Sequence, residues 1–254
     1  MENGITIKVG LTNHYLLPCY GGYLLVDAGS RKMFSRFLSE LKSQGVDPKE
    51  IRYIFLTHHH EDHTGFTTLL REISNCHFIV HKEAVKPLKD GKCTLTGGGI
   101  INWKVVFSGF GWYVLLKGVR LHFPPVEFGK GDFIVSEDDN EILRSLGVSG
   151  KILCTPGHTP DSISLLLDDG SCFCGDAAFN RAYWLGTHYC MPYVSDLENN
   201  YRSWRKMLQE GASKIYPAHG SPFSSENLED NLNHFKQENL VLANILPKIV
   251  DKLF

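Results

Sequence analysis

The sequence predicts an α/β fold built from layered sheets and helices, and two observations carry this prediction. Short apolar runs typical of buried strands alternate with longer segments whose apolar residues recur at helical spacing. The chain also has 254 residues and a hydrophobic content of 43%, which is enough for one sizeable core. We therefore expect a single domain over residues 1–254, with an insertion at residues 90–130 that interrupts the alternation.

The first half of the chain shows this alternation most clearly. Residues 31–44 carry apolar side chains at helical spacing and are followed by Gly45, which predicts a helix. A second helix is predicted at residues 67–73. Short apolar runs predict strands at residues 5–9, 13–17, 23–26, 51–56 and 77–80.

The second half contains a hairpin signal and two helical segments. Asp168-Asp169-Gly170 lies between two apolar runs, as in a tight turn between paired strands. A helix is predicted at residues 196–208, and an amphipathic C-terminal helix is predicted at residues 224–250. Further strands are predicted at residues 121–123, 132–135, 141–143, 151–155, 163–167, 171–174 and 213–216.

Residues 99–119 form an aromatic-rich run inside the insertion. Lys104 and Lys117 leave 12 residues without charge between them, which is too short to span a bilayer. We interpret the run as a lid over an active site, in which Trp103 and Trp112 contact an apolar part of a small-molecule substrate. An insertion packed on the core and a contact within a homodimer are the alternatives.

The most informative segment is the loop at residues 57–63, THHHEDH, which follows a predicted strand. In an extended chain His58 and His60 project to the same side, and a turn after them lets Asp62 and His63 face back. Imidazole and carboxylate are ligands that Zn²⁺ accepts, and Fe and Mn accept the same set. The segment therefore predicts a metal site.

Four further polar residues directly follow predicted strands. They are Asp27, His158, Asp176 and His219. Because strand ends meet at one edge of a layered sheet, we expect these side chains to converge with the histidine loop on a single site.

The same residues resemble the motifs of the metallo-β-lactamase superfamily. Asp27 after an apolar strand resembles its first motif, and residues 58–63 resemble its defining H-x-H-x-D-H motif. The sequences TPGHT, CGDAAF and YPAHG, which contain His158, Asp176 and His219, resemble its third, fourth and fifth motifs. The resemblance covers nearly the whole chain.

The resemblance implies a four-layered αββα sandwich with two divalent metal ions, most readily Zn, at one edge. The implied ligands of one metal are His58, His60 and His158, those of the other are Asp62, His63 and His219, and Asp176 bridges both. Two metals about 3.5–4 Å apart can share a hydroxide that attacks a carbonyl carbon while a metal polarises the carbonyl oxygen.

Two aspartates have additional roles in this hypothesis. As a catalytic residue, Asp62 would orient the attacking hydroxide or carry a proton to the leaving group. Asp27 would either orient the histidine loop through hydrogen bonds or cap the helix predicted to begin at Arg31. The sequence favours neither role for Asp27 over the other.

The branch of the superfamily is less well defined by the sequence. Acyl-homoserine lactonases are similar but place a tyrosine three residues after the bridging aspartate, where this chain has Phe179. Glyoxalase II enzymes share G-D-x-x-F but usually have a glycine pair where this chain has Gly65-Phe66. We therefore predict a hydrolase that acts on a small ester, thioester or lactone.

Two other activities are compatible with the same ligands. A phosphodiesterase or nuclease can use the same two-metal site. Persulfide dioxygenases of the superfamily hold a single iron on three of these ligands. A formal net charge of −2 and a sequence pI of about 6.6 argue against a nucleic-acid partner.

Residues outside the metal motifs carry weaker predictions. Phe179, Tyr183, His188 and Tyr193 follow the strand that precedes the bridging aspartate, so we expect them to line the substrate pocket. His59 alternates with the metal-binding histidines and is expected to point away from the metals. Seven cysteines without framework spacing, together with an N-terminus that lacks a signal-peptide pattern, predict a cytoplasmic protein with no membrane span.

Overall fold

The computed structural model describes residues 4–95, 97–108 and 122–243. The strands in this part of the chain are β1 (Ile5–Val9), β2 (Thr12–Cys19), β3 (Gly22–Val26), β4 (Ile51–Phe55), β5 (His77–His81), β6 (Gly99–Ile100), β7 (Phe133–Val135), β8 (Gly150–Cys154), β9 (Ile163–Leu167), β10 (Ser171–Gly175), β11 (Tyr193–Val194), β12 (Lys214–Pro217) and β13 (Phe223–Ser224). The α-helices are α1 (Phe34–Ser43), α2 (Glu61–Thr64), α3 (Thr67–Ser74), α4 (Val85–Asp90), α5 (Trp103–Phe107), α6 (Ile142–Ser145), α7 (Leu197–Gln209) and α8 (Glu226–Asp230).

Two sheets contain most of these strands. The first has the order β1-β2-β3-β4-β5-β7, in which β1 to β3 are antiparallel and β3, β4, β5 and β7 run parallel. The second has the order β13-β12-β10-β9-β8. In this second sheet β8, β10 and β12 share one direction, because β9 is antiparallel to both β8 and β10 and β12 is parallel to β10. A two-stranded ribbon joins β6 to β11.

Strand alternation places the two sheets face to face. In β3, Leu24 and Val26 belong to an inner core shared with Phe173 of β10, whereas Leu25 belongs to an outer core together with Phe37 of α1. Successive residues of a strand point to opposite faces, so each sheet contacts its partner on one side and helices on the other. The four layers are helix, sheet, sheet and helix, which confirms the predicted fold class.

Ile142 and Leu143 belong to a helix that Glu141 directly precedes, so the prediction of residues 141–143 as a strand is wrong. They overlap α6, whose first turn is held by the Asp139 carboxylate, which accepts hydrogen bonds from the backbone N–H groups of Glu141 and Ile142. A carboxylate placed before a helical turn satisfies its free N–H groups, and this outweighs the apolar character of a run only three residues long.

The predicted continuous helix at residues 224–250 is also wrong within the described residues. Ser224 belongs to β13, α8 ends at Asp230, and Asn233 adopts a left-handed conformation with φ 59°. The backbone N–H of Phe235 then donates to the Tyr201 hydroxyl on α7. This segment therefore contacts α7 instead of continuing the helix. Residues 244–250 of the prediction lie outside the described residues.

Part of the predicted insertion lies in the described residues. It contains α5 and the strand β6, which pairs with β11. The helix α4, which the sequence pattern did not predict, ends at Asp90, where the predicted insertion begins. Residues 109–121, including Trp112, lie outside the described residues. No helix within the described segments has the length and apolar composition needed to cross a membrane.

Candidate metal centre

The histidine loop connects β4 to the short helix α2. The residues Thr57 to His60 leave the end of β4, and His60 directly precedes α2. The helical turn of α2 brings Asp62 and His63 back toward His58, as the sequence predicts. His58, His60 and His63 are all buried, so the loop is part of the protein interior.

The remaining predicted ligands come from the second sheet. His158 follows β8, Asp176 follows β10 and His219 follows β12, and these three strands run in the same direction. Their ends therefore lie at one edge of the sheet, facing the end of β4 in the first sheet. This geometry agrees with the convergence that the strand ends predict.

The structure brings all seven predicted residues together around Asp176. Asp176 Oδ2 lies 4.0 Å from His58 Nε2, 3.5 Å from His63 Nε2 and 3.6 Å from His158 Nε2. Asp176 Oδ1 lies 3.5 Å from His219 Nε2. A carboxylate between two groups of imidazoles has the arrangement of a bridging ligand.

Two sets of three residues complete the cluster, and each set keeps its potential ligand atoms within 4.8 Å of one another. The first set is His58, His60 and His158, and the second is Asp62, His63 and His219. In the second set, Asp62 Oδ2 lies 3.3 Å from His219 Nε2 and Asp62 Oδ1 lies 3.8 Å from His63 Nε2.

Several buried polar atoms in this cluster have no hydrogen-bond partner. They are the Nε2 atoms of His58 and His63 and the Oδ1 atom of Asp176; the Nε2 atom of His60 also lacks a partner, but it is Nδ1 of that ring that faces His158. An unpartnered buried polar atom costs about 1–3 kcal/mol, so three of them in one cluster are unfavourable unless a bound group satisfies them. Imidazole nitrogens and carboxylate oxygens that converge in this way fit a metal ion.

Hydrogen bonds on the opposite ring nitrogen orient four of the five histidines. Nδ1 contacts Thr57 Oγ1 at 3.1 Å in His58, Asp27 Oδ2 at 2.8 Å in His63, the Tyr193 carbonyl at 2.9 Å in His158 and the Leu11 carbonyl at 2.9 Å in His219. Each ring therefore directs Nε2 into the cluster, as metal-binding histidines usually do. His60 is reversed, because its Nδ1 lies 3.0 Å from His158 Nε2.

Asp27 orients the histidine loop and does not cap a helix. Its carboxylate accepts hydrogen bonds from the backbone N–H and the hydroxyl of Thr57, and it contacts His63 Nδ1. Asp27 is held in a left-handed conformation with φ 61°, which is uncommon outside glycine. The turn that begins at Arg31 is instead capped by Glu61, whose carboxylate accepts from the Arg31 N–H and the Ser30 hydroxyl.

The strand β2 and the helix α7 support the site in ways that the sequence did not predict. The Asn13 amide donates to the carbonyls of Pro217 and Gly220, on either side of His219. The indole N–H of Trp204 on α7 donates to the Ala177 carbonyl, next to Asp176. Sequence reasoning missed these residues because neither belongs to a motif; the only available signal was the position of Asn13 within an apolar strand.

The charges of the cluster divide its histidines into two groups. Burial lowers the pKa values of His58 and His60 well below the usual value. Burial also opposes protonation of His63 and His219, but the neighbouring carboxylates, of which Asp176 contributes most, together outweigh it and raise their pKa values. Burial disfavours the charged form of Asp176 too, yet His219 and His63 lower its pKa to about 2. A metal ion would therefore compete with protons mainly at His63 and His219.

Two of the predicted pocket residues lie beside histidines of the cluster. The Phe179 ring is buried with its centroid 6.2 Å from that of His219, and the Tyr193 ring lies 6.0 Å from that of His158. His188 instead stacks on His234 with a centroid distance of 3.5 Å and contacts Asn231. His188 therefore lies against the residues at the end of α8 and after it, and not beside the cluster.

The two remaining described aromatic residues of the predicted pocket are exposed. Trp103 is 55% exposed and stacks on Phe107, and Tyr183 is 60% exposed. The Asn102 amide donates to the carbonyls of Leu185 and Gly186, which ties α5 to the segment containing Tyr183. The structure therefore places both residues on connected surface segments, and Trp112 lies outside the described residues.

The fold and the cluster together define a class of protein. The family model of the metallo-beta-lactamase superfamily matches residues 8–219, and the chain belongs to this superfamily. The family predicted from the motifs is thus confirmed, and with it the prediction of an enzyme of a metallo-hydrolase superfamily.

Individual relatives support this assignment. A probable metallo-hydrolase of Methanocaldococcus jannaschii is 32% identical over 200 residues, which are 78% of this chain and 82% of that protein. Hydroxyacylglutathione hydrolase 1 of Vibrio vulnificus is 24% identical over 91% of this chain and 70% of its own length. Several other relatives are longer, and the matches span 41 to 65% of their lengths.

A solved structure shows the same fold. The archaeal metallo-beta-lactamase superfamily protein from Sulfolobus tokodaii superposes with a TM-score of 0.61 at 21% sequence identity. The match covers 92% of this chain and 86% of that protein.

Proposed function

We propose that this protein is a dinuclear metal-dependent hydrolase in which water attacks the carbonyl carbon of a small ester, thioester or lactone and the acyl C–O or C–S bond to the leaving group breaks. The observation that carries the proposal is the group of buried, unpartnered nitrogen and oxygen atoms that converge between the two sheets. These atoms belong to a cluster of seven imidazole and carboxylate side chains, which are groups that bind metal ions.

The residues would divide between two metal ions as the two spatial sets suggest. His58, His60 and His158 would hold one ion, Asp62, His63 and His219 would hold the other, and Asp176 would contact both. Zn²⁺ is the ion that suits this mixture best, and Fe or Mn suits it also. When bound, two metal ions lower the pKa of water and polarise a carbonyl oxygen.

The side chains of the protein have distinct roles in this proposal. Asp62 has a side chain that is 44% exposed, whereas that of Asp176 is 3% exposed. Burial disfavours the charged form of Asp62, but His63 and His219 outweigh it and keep its pKa below the usual value. An ionised carboxylate that reaches solvent can accept a proton during attack and pass it toward a leaving group, so Asp62 is the proposed catalytic residue.

The choice of a carbonyl substrate is supported by the family and by the surroundings of the cluster. One relative is a hydroxyacylglutathione hydrolase by name. The apolar Phe179 and the exposed Trp103 are suited to an apolar arm on the substrate. The absence of a hydroxyl at Phe179 distinguishes this chain from typical acyl-homoserine lactonases, so an ester or thioester is the preferred substrate.

The first experiment measures metal content and activity on the same sample. The protein is purified without chelator or histidine tag, metal per chain is measured by plasma emission, and turnover is measured on an ester, a lactone, a thioester and a phosphodiester. We expect two metal equivalents and carbonyl turnover. One equivalent of iron, with no hydrolysis and with oxygen uptake on a persulfide, would contradict the proposal, and turnover of the phosphodiester alone would replace the carbonyl substrate.

The variant Asp176→Ala tests the bridging role. Removing the carboxylate takes away a ligand from both ions, so we expect metal occupancy and turnover to fall together, each by at least about 100-fold. Circular dichroism of the metal-free protein serves as the check that the variant folds. Retention of two metal equivalents by a folded variant would contradict the role of Asp176.

A further inference from the structure

His59 lies between two metal-site histidines, and its side chain is engaged at both ring nitrogens. The imidazole is 2% exposed, and its Nδ1 lies 2.8 Å from Asp161 Oδ1. At the other side of the ring, the backbone N–H of Thr94 donates to His59 Nε2 at 3.0 Å. The side chain lies outside the metal cluster, which agrees with the prediction from the sequence. It is nevertheless buried and hydrogen-bonded.

These contacts determine which nitrogen of the neutral ring carries the hydrogen. Because the Thr94 N–H can only donate, His59 Nε2 must accept and carries no hydrogen. In the neutral ring the hydrogen is therefore on Nδ1, which donates to Asp161. The second oxygen of Asp161 accepts from the backbone N–H of His59 at 2.9 Å. One buried carboxylate thus binds both the backbone and the ring of the same residue.

The positions of His59 and Asp161 in the chain show which two loops the pair connects. His59 is flanked by His58 and His60, and Asp161 lies three residues after His158. The two hydrogen bonds therefore join the two loops that carry the first set of ligands. His60 Nδ1 and His158 Nε2, which belong to these two loops, lie 3.0 Å apart.

We propose that the His59–Asp161 pair is a positioning clamp that sets the distance between the His58/His60 loop and the His158 loop. It thereby controls occupancy of the first metal position without contacting the metal. This inference rests on the two-metal function proposed above. The second position depends on other supports, because His63 is held by the Asp27 carboxylate and His219 by the Leu11 carbonyl.

The variant Asp161→Asn tests the clamp. An amide has one oxygen and one nitrogen that donates, so it cannot accept hydrogen bonds from both His59 N–H groups. We expect one of the two metal equivalents to bind roughly tenfold more weakly and the other to keep its affinity. The measurement is a titration of chelator-stripped protein with Zn²⁺, repeated with Co²⁺, whose absorption spectrum reports the two positions separately.

Asp132→Asn is the matched control. The Asp132 side chain is also 2% exposed, and it also accepts backbone hydrogen bonds, from Phe78 and Gly129, but it contacts none of the cluster residues. Both variants should lower the melting temperature of the metal-free protein, whereas only Asp161→Asn should alter metal binding.

A second pair of variants tests the ring of His59. These variants also keep the proposal testable if Asp161→Asn does not fold. The amide nitrogen of an asparagine occupies nearly the position of an imidazole Nδ1, so His59→Asn can keep the donation to Asp161. His59→Ala cannot. We therefore expect His59→Asn to retain most of the affinity of the first metal position and His59→Ala to lose it.

The possible results separate the clamp from the function on which it rests. If the wild-type chain binds no metal, both proposals are wrong. If the wild type binds two equivalents and Asp161→Asn and His59→Ala bind them with unchanged affinity, only the clamp is wrong. Equal weakening of both equivalents, or the same loss in Asp132→Asn, would show general destabilisation and would also overturn the clamp.

Discussion

Single residues decide which atoms face the candidate site. The rings of His58, His63 and His158 each have Nδ1 occupied by another group of the protein, which leaves Nε2 directed inward. Thr57 is central to this arrangement, because its hydroxyl contacts both Asp27 and His58. A small displacement of Thr57 would therefore disturb the hydrogen bonds that orient the proposed metal ligands.

Gly175 tests this dependence on Thr57. A Cβ atom at Gly175 would lie 2.3 Å from Thr57 Oγ1, and the residue has φ +54°. We expect Gly175→Ala to lower the free energy of unfolding by at least about 2 kcal/mol, from the left-handed backbone and the overlap together. Thermal or urea unfolding of the protein measures this change.

Gly45→Ala is the control for the backbone contribution. Gly45 also has a left-handed conformation, with φ +73°, but nothing lies within 4 Å of an added Cβ. Its substitution should cost about 1 kcal/mol. Equal costs at the two glycines would mean that the contact with Thr57 is not important.

At the scale of secondary-structure elements, short segments connect the site to the surface. The ribbon of β6 and β11 places α5 next to the chain that runs from Asp176 to Tyr193. The exposed Trp103 and Phe107 on α5 stack on each other, which is an unusual use of large apolar side chains on a surface. An apolar substrate arm is the ligand that suits this stacked pair.

Trp103→Ala tests that role of α5. Because the loss of apolar contact grows with the length of the substrate, we expect KM for long-chain esters to rise roughly tenfold and KM for short esters to change little. Tyr20→Ala, at an exposed aromatic residue in the turn between β2 and β3, is the control and should leave both values unchanged. Equal effects of Trp103→Ala on KM for long and short esters would show that Trp103 does not contact an apolar arm of the substrate.

At the scale of the whole molecule, two sheets meet so that the proposed ligands, which are far apart in sequence, share one edge. The first sheet contributes the loop after β4, and the second contributes the residues after β8, β10 and β12. A bound metal would therefore link both sheets and stabilise the folded state. The link is lost in the unfolded chain, where these segments are independent.

Chelation and acidification should both weaken this link. Removing metal should lower the melting temperature, since a ligand present at 1,000 times its Kd contributes about 4 kcal/mol. The pKa values of His63 and His219 are raised in the metal-free protein, so metal binding must release their protons. Metal affinity should therefore fall as the pH decreases through the raised pKa values and recover as the pH increases.

Calorimetric melting of the protein with and without chelator, over pH 5 to about 8, measures both effects. A melting temperature that does not respond to chelator would show that the metal, where bound, does not link the two sheets. Chelator-dependent stability that does not change with pH would contradict the competition between metal and protons at His63 and His219.

The sequence alone was sufficient to predict the layered fold and the seven clustered residues, because both depend on local patterns. Strand alternation and strand ends are properties of short segments, and the spacing in residues 58–63 leads to convergence through a single turn. The same local reasoning failed at residues 141–143 and 224–243, where an aspartate and contacts with α7 override the apolar pattern.

Only the tertiary structure decided the contacts that orient the site. The choice between the two roles of Asp27, the reversal of the His60 ring and the pairing of His59 with Asp161 all depend on residues that are distant in sequence. The stacking of His188 on His234 likewise joins two residues that are distant in sequence. A hydrogen bond between residues 36 to 102 positions apart leaves no periodic signal in the sequence, because it arises from how distant segments pack together.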